Sequence, residues 1–286
     1  MSWLLLTLFV INLWAIANLI DKYIISKRVK SPIPLMVLWG FGSLAYSAIA
    51  FSQGAVFSPP SILLGFLLGT TILLYVKSLS VEEASRVISY FNVIPLIVAV
   101  LAFLFLGESF GPEKYLGIFL VVGGAALISL KKVKGSIISS KALPFMALFI
   151  LLYSIASIFM KFLVDSSGYL SVFANYQLGV FLFGIIVLSF KRNALSFLNK
   201  KNSVLILGSQ VIGVAGYFFL LAAYSLGPVT LISGIENIQG AFVFVYALIL
   251  SLLFPKIIKE ETSRNQLLLK LLAIALMAVG ALIISF

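Results

Sequence analysis

The chain is divided into apolar stretches of membrane-crossing length, joined by short polar connections. A helix needs about 20 predominantly apolar residues to cross the hydrocarbon core of a bilayer. Ten segments meet that requirement: 2–20, 33–51, 60–77, 82–105, 112–130, 143–163, 168–189, 203–225, 228–253 and 267–285. Of 286 residues, 62% are hydrophobic and 10% charged. No soluble core of this size encloses that many apolar side chains, so lipid has to cover them. The expected fold is all-α, a polytopic membrane protein of ten transmembrane helices.

Helix breakers stand where the pattern needs them: Ser58-Pro59-Pro60, Gly111-Pro112, Ser166-Ser167-Gly168 and Gly227-Pro228. Lys77 to Arg86, with Glu82 and Glu83, reads as a tight turn between helices 3 and 4. Pro95 is expected to kink helix 4. Met1-Ser2-Trp3 turns apolar at once, without the basic start of a signal peptide, so the first stretch is expected to remain as helix 1.

Cys and His are both absent from the sequence. Disulfides, thiolate or imidazole metal sites and His-based catalytic triads are therefore excluded. The connections leave no room for a nucleotide-binding domain, and neither a Walker A sequence nor a dinucleotide fingerprint occurs. No cofactor and no metal are expected.

Basic residues set the expected orientation. The loops joining helices 1–2, 3–4, 5–6, 7–8 and 9–10 hold 18 of the 20 Lys and Arg, and only Lys114 and Lys161 fall on the other face. The positive-inside rule places those odd loops in the cytoplasm and both termini outside. The net charge of +11 then faces anionic lipid, and no nucleic-acid partner is needed to explain it.

The halves 1–135 and 136–286 resemble each other. Trp14 to Lys22 aligns with Tyr153 to Lys161, and Gly124 to Leu130 with Gly280 to Phe286. Lys77-Ser-Leu79 aligns with Tyr224-Ser-Leu226, in a register that also pairs Gly69 with Gly216. Five helices is an odd number, so the second repeat must enter the membrane upside down.

The five-plus-five arrangement, the segment Trp14 to Lys22, the helix-4 ending Leu106-Gly107-Glu108 and the Gly-rich helix 5 from Tyr115 to Leu130 resemble the EamA-like branch of the drug/metabolite transporter superfamily. The resemblance spans the whole chain. It implies export or exchange of small metabolites, such as amino acids, through a central cavity lined by helices 1–4 and 6–9, with helices 5 and 10 at the edge. Two features depart from it. Phe254-Pro255-Lys256 stands where a second Gly-Glu ending would fall, so Glu108 has no repeat mate. Members are also often drawn with cytoplasmic termini, opposite to the charge pattern here.

Polar groups inside a bilayer are costly and usually face a cavity or a partner. Helix 4 carries Arg86, Ser89, Tyr90 and Asn92, and helix 9 carries Ser233, Glu236, Asn237 and Gln239. The register of helices 3 and 8 pairs Ser89 with Glu236 and Asn92 with Gln239. Glu236 is a candidate proton-coupling or substrate-amine site, or a structural carboxylate tied to Arg86. Arg86 is a candidate for a substrate carboxylate or phosphate, or a snorkelling cation. Lys22 and Lys161, repeat mates at opposite ends of the membrane, read as cations at the two mouths or as snorkelling lysines. Trp14 and Asn18, four residues apart, can share a cavity face. Gly117, Gly123, Gly124 and Gly280 read as close-packing positions.

The function expected is secondary transport of a small polar solute, a zwitterion or organic anion, by alternating access across the cytoplasmic membrane. A proton or counter-transported ion is the expected energy source. The alternatives are a facilitative exchanger of anionic metabolites, a membrane-embedded enzyme acting on lipids, and a sensor or scaffold. The absence of His and the scatter of the nine acidic residues weigh against the enzyme.

Overall fold

A computed structural model of the protein describes residues 2–27, 33–81, 87, 90–129, 142–191, 199–253 and 264–286. Among these residues there is no strand. The α-helices are α1 (Trp3–Lys27), α2 (Ile33–Ser52), α3 (Pro59–Val81), α4 (Ile94–Leu106), α5 (Pro112–Ser129), α6 (Leu143–Ser167), α7 (Tyr169–Phe190), α8 (Lys200–Tyr224), α9 (Val229–Glu236), α10 (Gln239–Leu253) and α11 (Arg264–Ser285), and a 3-10 turn, Tyr90–Val93, precedes α4.

The breakers act as the sequence suggests. Pro59 and Pro112 open α3 and α5, where a missing N–H costs nothing because first-turn donors have no intrahelical acceptor. Gly168, at φ +77°, separates α6 from α7. Gly107, at φ +68°, ends α4 in the left-handed conformation that favours glycine. Asn199 caps α8, its side chain accepting from the Asn202 N–H at 2.9 Å.

Three boundaries differ from expectation. The stretch 228–253 is two helices, with Asn237 and Ile238 between α9 and α10. Pro95 does not kink a continuous helix; it lies in the first turn of α4, directly after the 3-10 turn. α3 continues to Val81, past Lys77, whose ammonium lies 4.5 Å from the centre of the Phe145 ring and so keeps a partner while the helix runs on. Glu82, Glu83 and Arg86 of the expected turn lie outside the described residues.

Among the described residues, seven helices are long and apolar enough to cross a membrane, and Pro59–Tyr75 and Tyr90–Leu106 are shorter apolar segments. Bulky apolar side chains point outward along them, as with Phe103, Leu104 and Phe105 of α4, which are 58%, 63% and 72% exposed. Only lipid makes such a surface favourable.

The chain forms two compact units, residues 1–73 with 156–226, and residues 74–155 with 227–286. In the first, α1 packs along α8 and α2 along α7. The α2–α7 contact is backbone-close: a Cβ at Gly40 would lie 2.9 Å from the Gly184 Cα. In the second unit α5 packs along α11, and α9 packs against α4 and α5. A Cβ on Gly280 would sit 2.6 Å from the Gly117 carbonyl oxygen, and one on Gly117 would sit 2.9 Å from the Gly280 oxygen. Helices in lipid associate through such close approach, because no hydrophobic force separates lipid tails from leucine. Gly280→Val should therefore force α5 and α11 apart and cost about 2–4 kcal/mol. The check is the thermal unfolding midpoint of the purified variant, and an unchanged midpoint would contradict the contact.

Candidate functional site

The polar groups most in need of explanation gather on α9. Val229 to Ile235 are all buried, yet this eight-residue helix is not apolar all round. At about 100° per residue, Thr230, Ser233, Glu236 and Asn237 form one continuous polar wedge. Thr230 and Ser233 are 1% and 2% exposed. Buried Thr230 Oγ1, Glu236 Oε1 and Asn237 Nδ2 have no hydrogen-bond partner among the described residues. Each such orphan costs about 1–3 kcal/mol, and three within eight residues is more than packing alone explains. Two are acceptors and one is a pure donor. The wedge is therefore chemically equipped to hold a solute or solvent molecule that presents both polarities, or a proton on Glu236.

The helix break at Asn237 and Ile238 puts this wedge at the end of a half-helix. Glu236 lies seven residues beyond Val229, roughly 10 Å along the axis. Broken helices inside a membrane persist where the freed backbone lines a polar space or is enclosed by protein.

The other end of α9 is anchored from a distant part of the sequence. Glu108, just after the left-handed Gly107, accepts hydrogen bonds from the Val229 N–H at 2.8 Å and the Thr230 N–H at 3.0 Å, one to each carboxylate oxygen. The first-turn N–H groups of a helix have no intrahelical acceptor, and together they carry about half a positive charge. Glu108 satisfies two of them and neutralises the helix end. The two isolated basic residues do the converse. Lys114 Nζ donates to the Ile283 and Ile284 carbonyls at the end of α11, at 3.2 and 3.1 Å. Lys161 Nζ donates to the Tyr224 carbonyl ending α8 at 2.8 Å and to Asp165 at 2.7 Å.

Other groups cluster in the first unit. The Trp14 indole donates to the Gly213 carbonyl at 3.2 Å and packs on Tyr217, which in turn meets Tyr176, with ring centres 5.0 and 5.7 Å apart. Asn175 ties the segment after α2 to α7: its amide donates to the Val56 carbonyl at 2.8 Å, and its oxygen accepts from the Ser58 N–H at 3.0 Å. Gln177 is fully buried, and neither amide atom has a hydrogen-bond partner among the described residues. Gln210 donates to the Trp39 carbonyl at 2.6 Å.

The expected site residues thus divide. Glu236, Asn237, Gln239, Tyr90 and Asn92 lie in the second unit, and Trp14, Asn18 and Lys161 in the first. Arg86, Ser89 and the Lys22 side chain lie outside the described residues. Trp14 packs on Tyr217, whereas Lys161 is committed to a helix end and an aspartate. Sequence reasoning passed over Thr230, whose hydroxyl looks ordinary in an apolar run. It also passed over an aromatic stack beside the 3-10 turn, in which Phe91 meets Phe149 at 4.9 Å and Tyr75 at 5.5 Å. Aromatic residues in membrane helices are so common that composition does not single out these rings.

Comparison with known proteins agrees with this architecture. A crystal structure of another protein superposes with a TM-score of 0.74 at 16% sequence identity, over 98% of this chain and 95% of that one. This likeness concerns the fold alone. No curated protein matches the sequence. Residues 1–130 match the model of the EamA-like transporter family. The match over residues 1–130 and the succession of apolar helices identify an integral, multi-pass membrane protein whose first 130 residues are similar to the EamA-like transporters of the drug/metabolite transporter superfamily.

Proposed function

We propose that the protein is a secondary transporter of small polar solutes, built from ten transmembrane helices in two inverted five-helix repeats, with Glu236 and Asn237 at its binding or coupling site. The observation that carries this reading is the matched position of a 3-10 turn and a helix break. The 3-10 turn begins at Tyr90 and the break after α9 at Asn237, 147 residues apart, the same offset that relates Lys77 to Tyr224. Interrupted helices at corresponding places in two halves are the pattern expected at a midplane site in repeat-built transporters.

Helix packing supports the repeat. Gly124 corresponds to Gly280 by an offset of 156, and the same offset takes Gly117 to Ala273. Gly117 meets Gly280, and a Cβ at Gly124 would lie 2.7 Å from the Ala273 carbonyl. If residue i touches the mate of j, then j touches the mate of i; this reciprocity is the mark of a two-fold axis.

A solute with both a cationic and an acceptor group, such as a zwitterion, suits the orphaned Glu236 and Asn237 atoms. The odd loops are cytoplasmic in this reading, and energy comes from a proton or counter-ion gradient. The test is metabolite profiling of cells with and without the protein, followed by uptake of the altered solutes into proteoliposomes. Solute accumulation supports transport. An altered lipid pool with no solute uptake would favour the membrane-enzyme alternative instead. A compartment-sensitive reporter fused after Phe286 checks orientation, since a cytoplasmic signal would reverse it.

A further inference from the structure

Asp21 has no part in the site on α9. It belongs to the first unit, on α1, where the apolar span Trp3–Asp21 ends. It is half-buried, and its carboxylate accepts a hydrogen bond from the Ser209 hydroxyl of α8. Few other charged or titratable groups surround it among the described residues. On α1 its neighbours are Lys22, whose side chain lies outside the described residues, and Tyr23. On α8, Lys201 lies eight residues before Ser209 and Tyr217 eight residues after it, about two turns away in either direction. α2 reaches the same region, with Trp39 packing beside Ile20, Ile24 and Ile206, but from Ile33 to Ser52 its only titratable residue is Tyr46.

Packing does not demand a carboxylate at this place. The register that pairs Lys22 with Lys161 pairs Asp21 with Met160, which is 2% exposed and fills its position with an apolar side chain. In the register of helices 3 and 8, which pairs Lys77 with Tyr224, Ser209 pairs with Ile62. An acid held by a hydroxyl in one half, where the other half uses two apolar residues, is a cost that fold stability does not explain.

We propose that the Asp21–Ser209 pair is a proton-binding site, separate from Glu236. A hydroxyl both donates and accepts. It donates to the carboxylate when Asp21 is charged, and rotates to accept from the acid O–H once Asp21 has taken a proton. The Asp21–Ser209 hydrogen bond therefore persists in both states. The proton comes from the adjoining aqueous phase and returns to water, so no other reactant is needed. Participation of this proton in a transport cycle rests on the function proposed above; the titration itself does not.

The test uses the full-length protein in nanodiscs. Dicyclohexylcarbodiimide adds to protonated, lipid-shielded carboxyls, and mass spectrometry locates the adduct. The Asp21 peptide should be modified at acidic pH, with yield falling as pH rises through neutrality. Ser209→Ala removes a donor to the charged form and should raise the neutral-pH yield severalfold. Asp21→Asn should remove both the adduct and one protonated-carboxyl band from the pH-difference infrared spectrum, a measurement that needs no reagent access. An infrared spectrum unchanged by Asp21→Asn would overturn the proposal. Glu236 lies on a different peptide, so its reactivity is scored separately and loss of one assignment is distinguishable from loss of the other.

Discussion

Glu236→Gln should slow transport by roughly 10–100-fold while leaving the protein as stable as its parent or more so. Glutamine keeps the shape of the side chain and removes only its charge and proton-carrying capacity. The parent holds a buried Oε1 with no partner among the described residues, so neutralising the group removes a desolvation penalty of about 1–3 kcal/mol rather than a bond. A charge-assisted hydrogen bond to a solute contributes about 1.5–3 kcal/mol, so its loss corresponds to uptake slower by roughly 10–100-fold. The measurement is paired: thermal midpoint of the purified variant, and uptake of the solute found by profiling. Unchanged uptake would remove Glu236 from the site. A large drop in midpoint would show a structural carboxylate whose partners stabilise the fold.

The opposite sign is expected at Glu108. Glu108→Ala should destabilise the protein by about 2–4 kcal/mol, since it strands two first-turn N–H groups on buried Val229 and Thr230 and removes the charge that complements the helix end. Glu108→Gln should fall between parent and alanine, because the amide offers one acceptor and turns its NH₂ toward the second donor. Eight residues form a marginal helix on their own, so α9 depends on this anchor more than a long helix would. A thermal midpoint unaffected by Glu108→Ala would refute the anchoring role. The two acids are both partly enclosed. What separates them is whether their oxygens are met by donors, and the paired experiments read that difference directly.

The helices were legible because a bilayer imposes one rule on every span, and the apolar runs with their Pro and Gly punctuation follow it. The helix interruptions were less so. Nothing in Ile235-Glu236-Asn237-Ile238 forbids a helix; the break depends on tertiary surroundings, which propensity does not register. Pro95 gave a local signal, but kinking a helix and opening one look the same in sequence. Glu236 and Asn237 stood out because polarity is rare in such a run. Glu108 was visible as a motif, but its partners lie 121 and 122 positions away, and no local pattern encodes them.

The two compact units are interleaved along the chain, each taking one piece from either half. That arrangement has a consequence for biogenesis. Neither unit is complete when the first half has been synthesised: the first lacks the later part of α6 with α7 and α8, and the second lacks the earlier part of α6 with α9 to α11. Helix α5 must wait in lipid with Gly117 uncovered and Lys114 without the carbonyls of Ile283 and Ile284, 169 and 170 residues downstream. Early helices are therefore inserted as provisional structures and locked late, in an order set by the ribosome. The compact units do not coincide with the two halves of the sequence, and a fragment ending near residue 135 should behave as a set of spans searching for partners rather than as a domain.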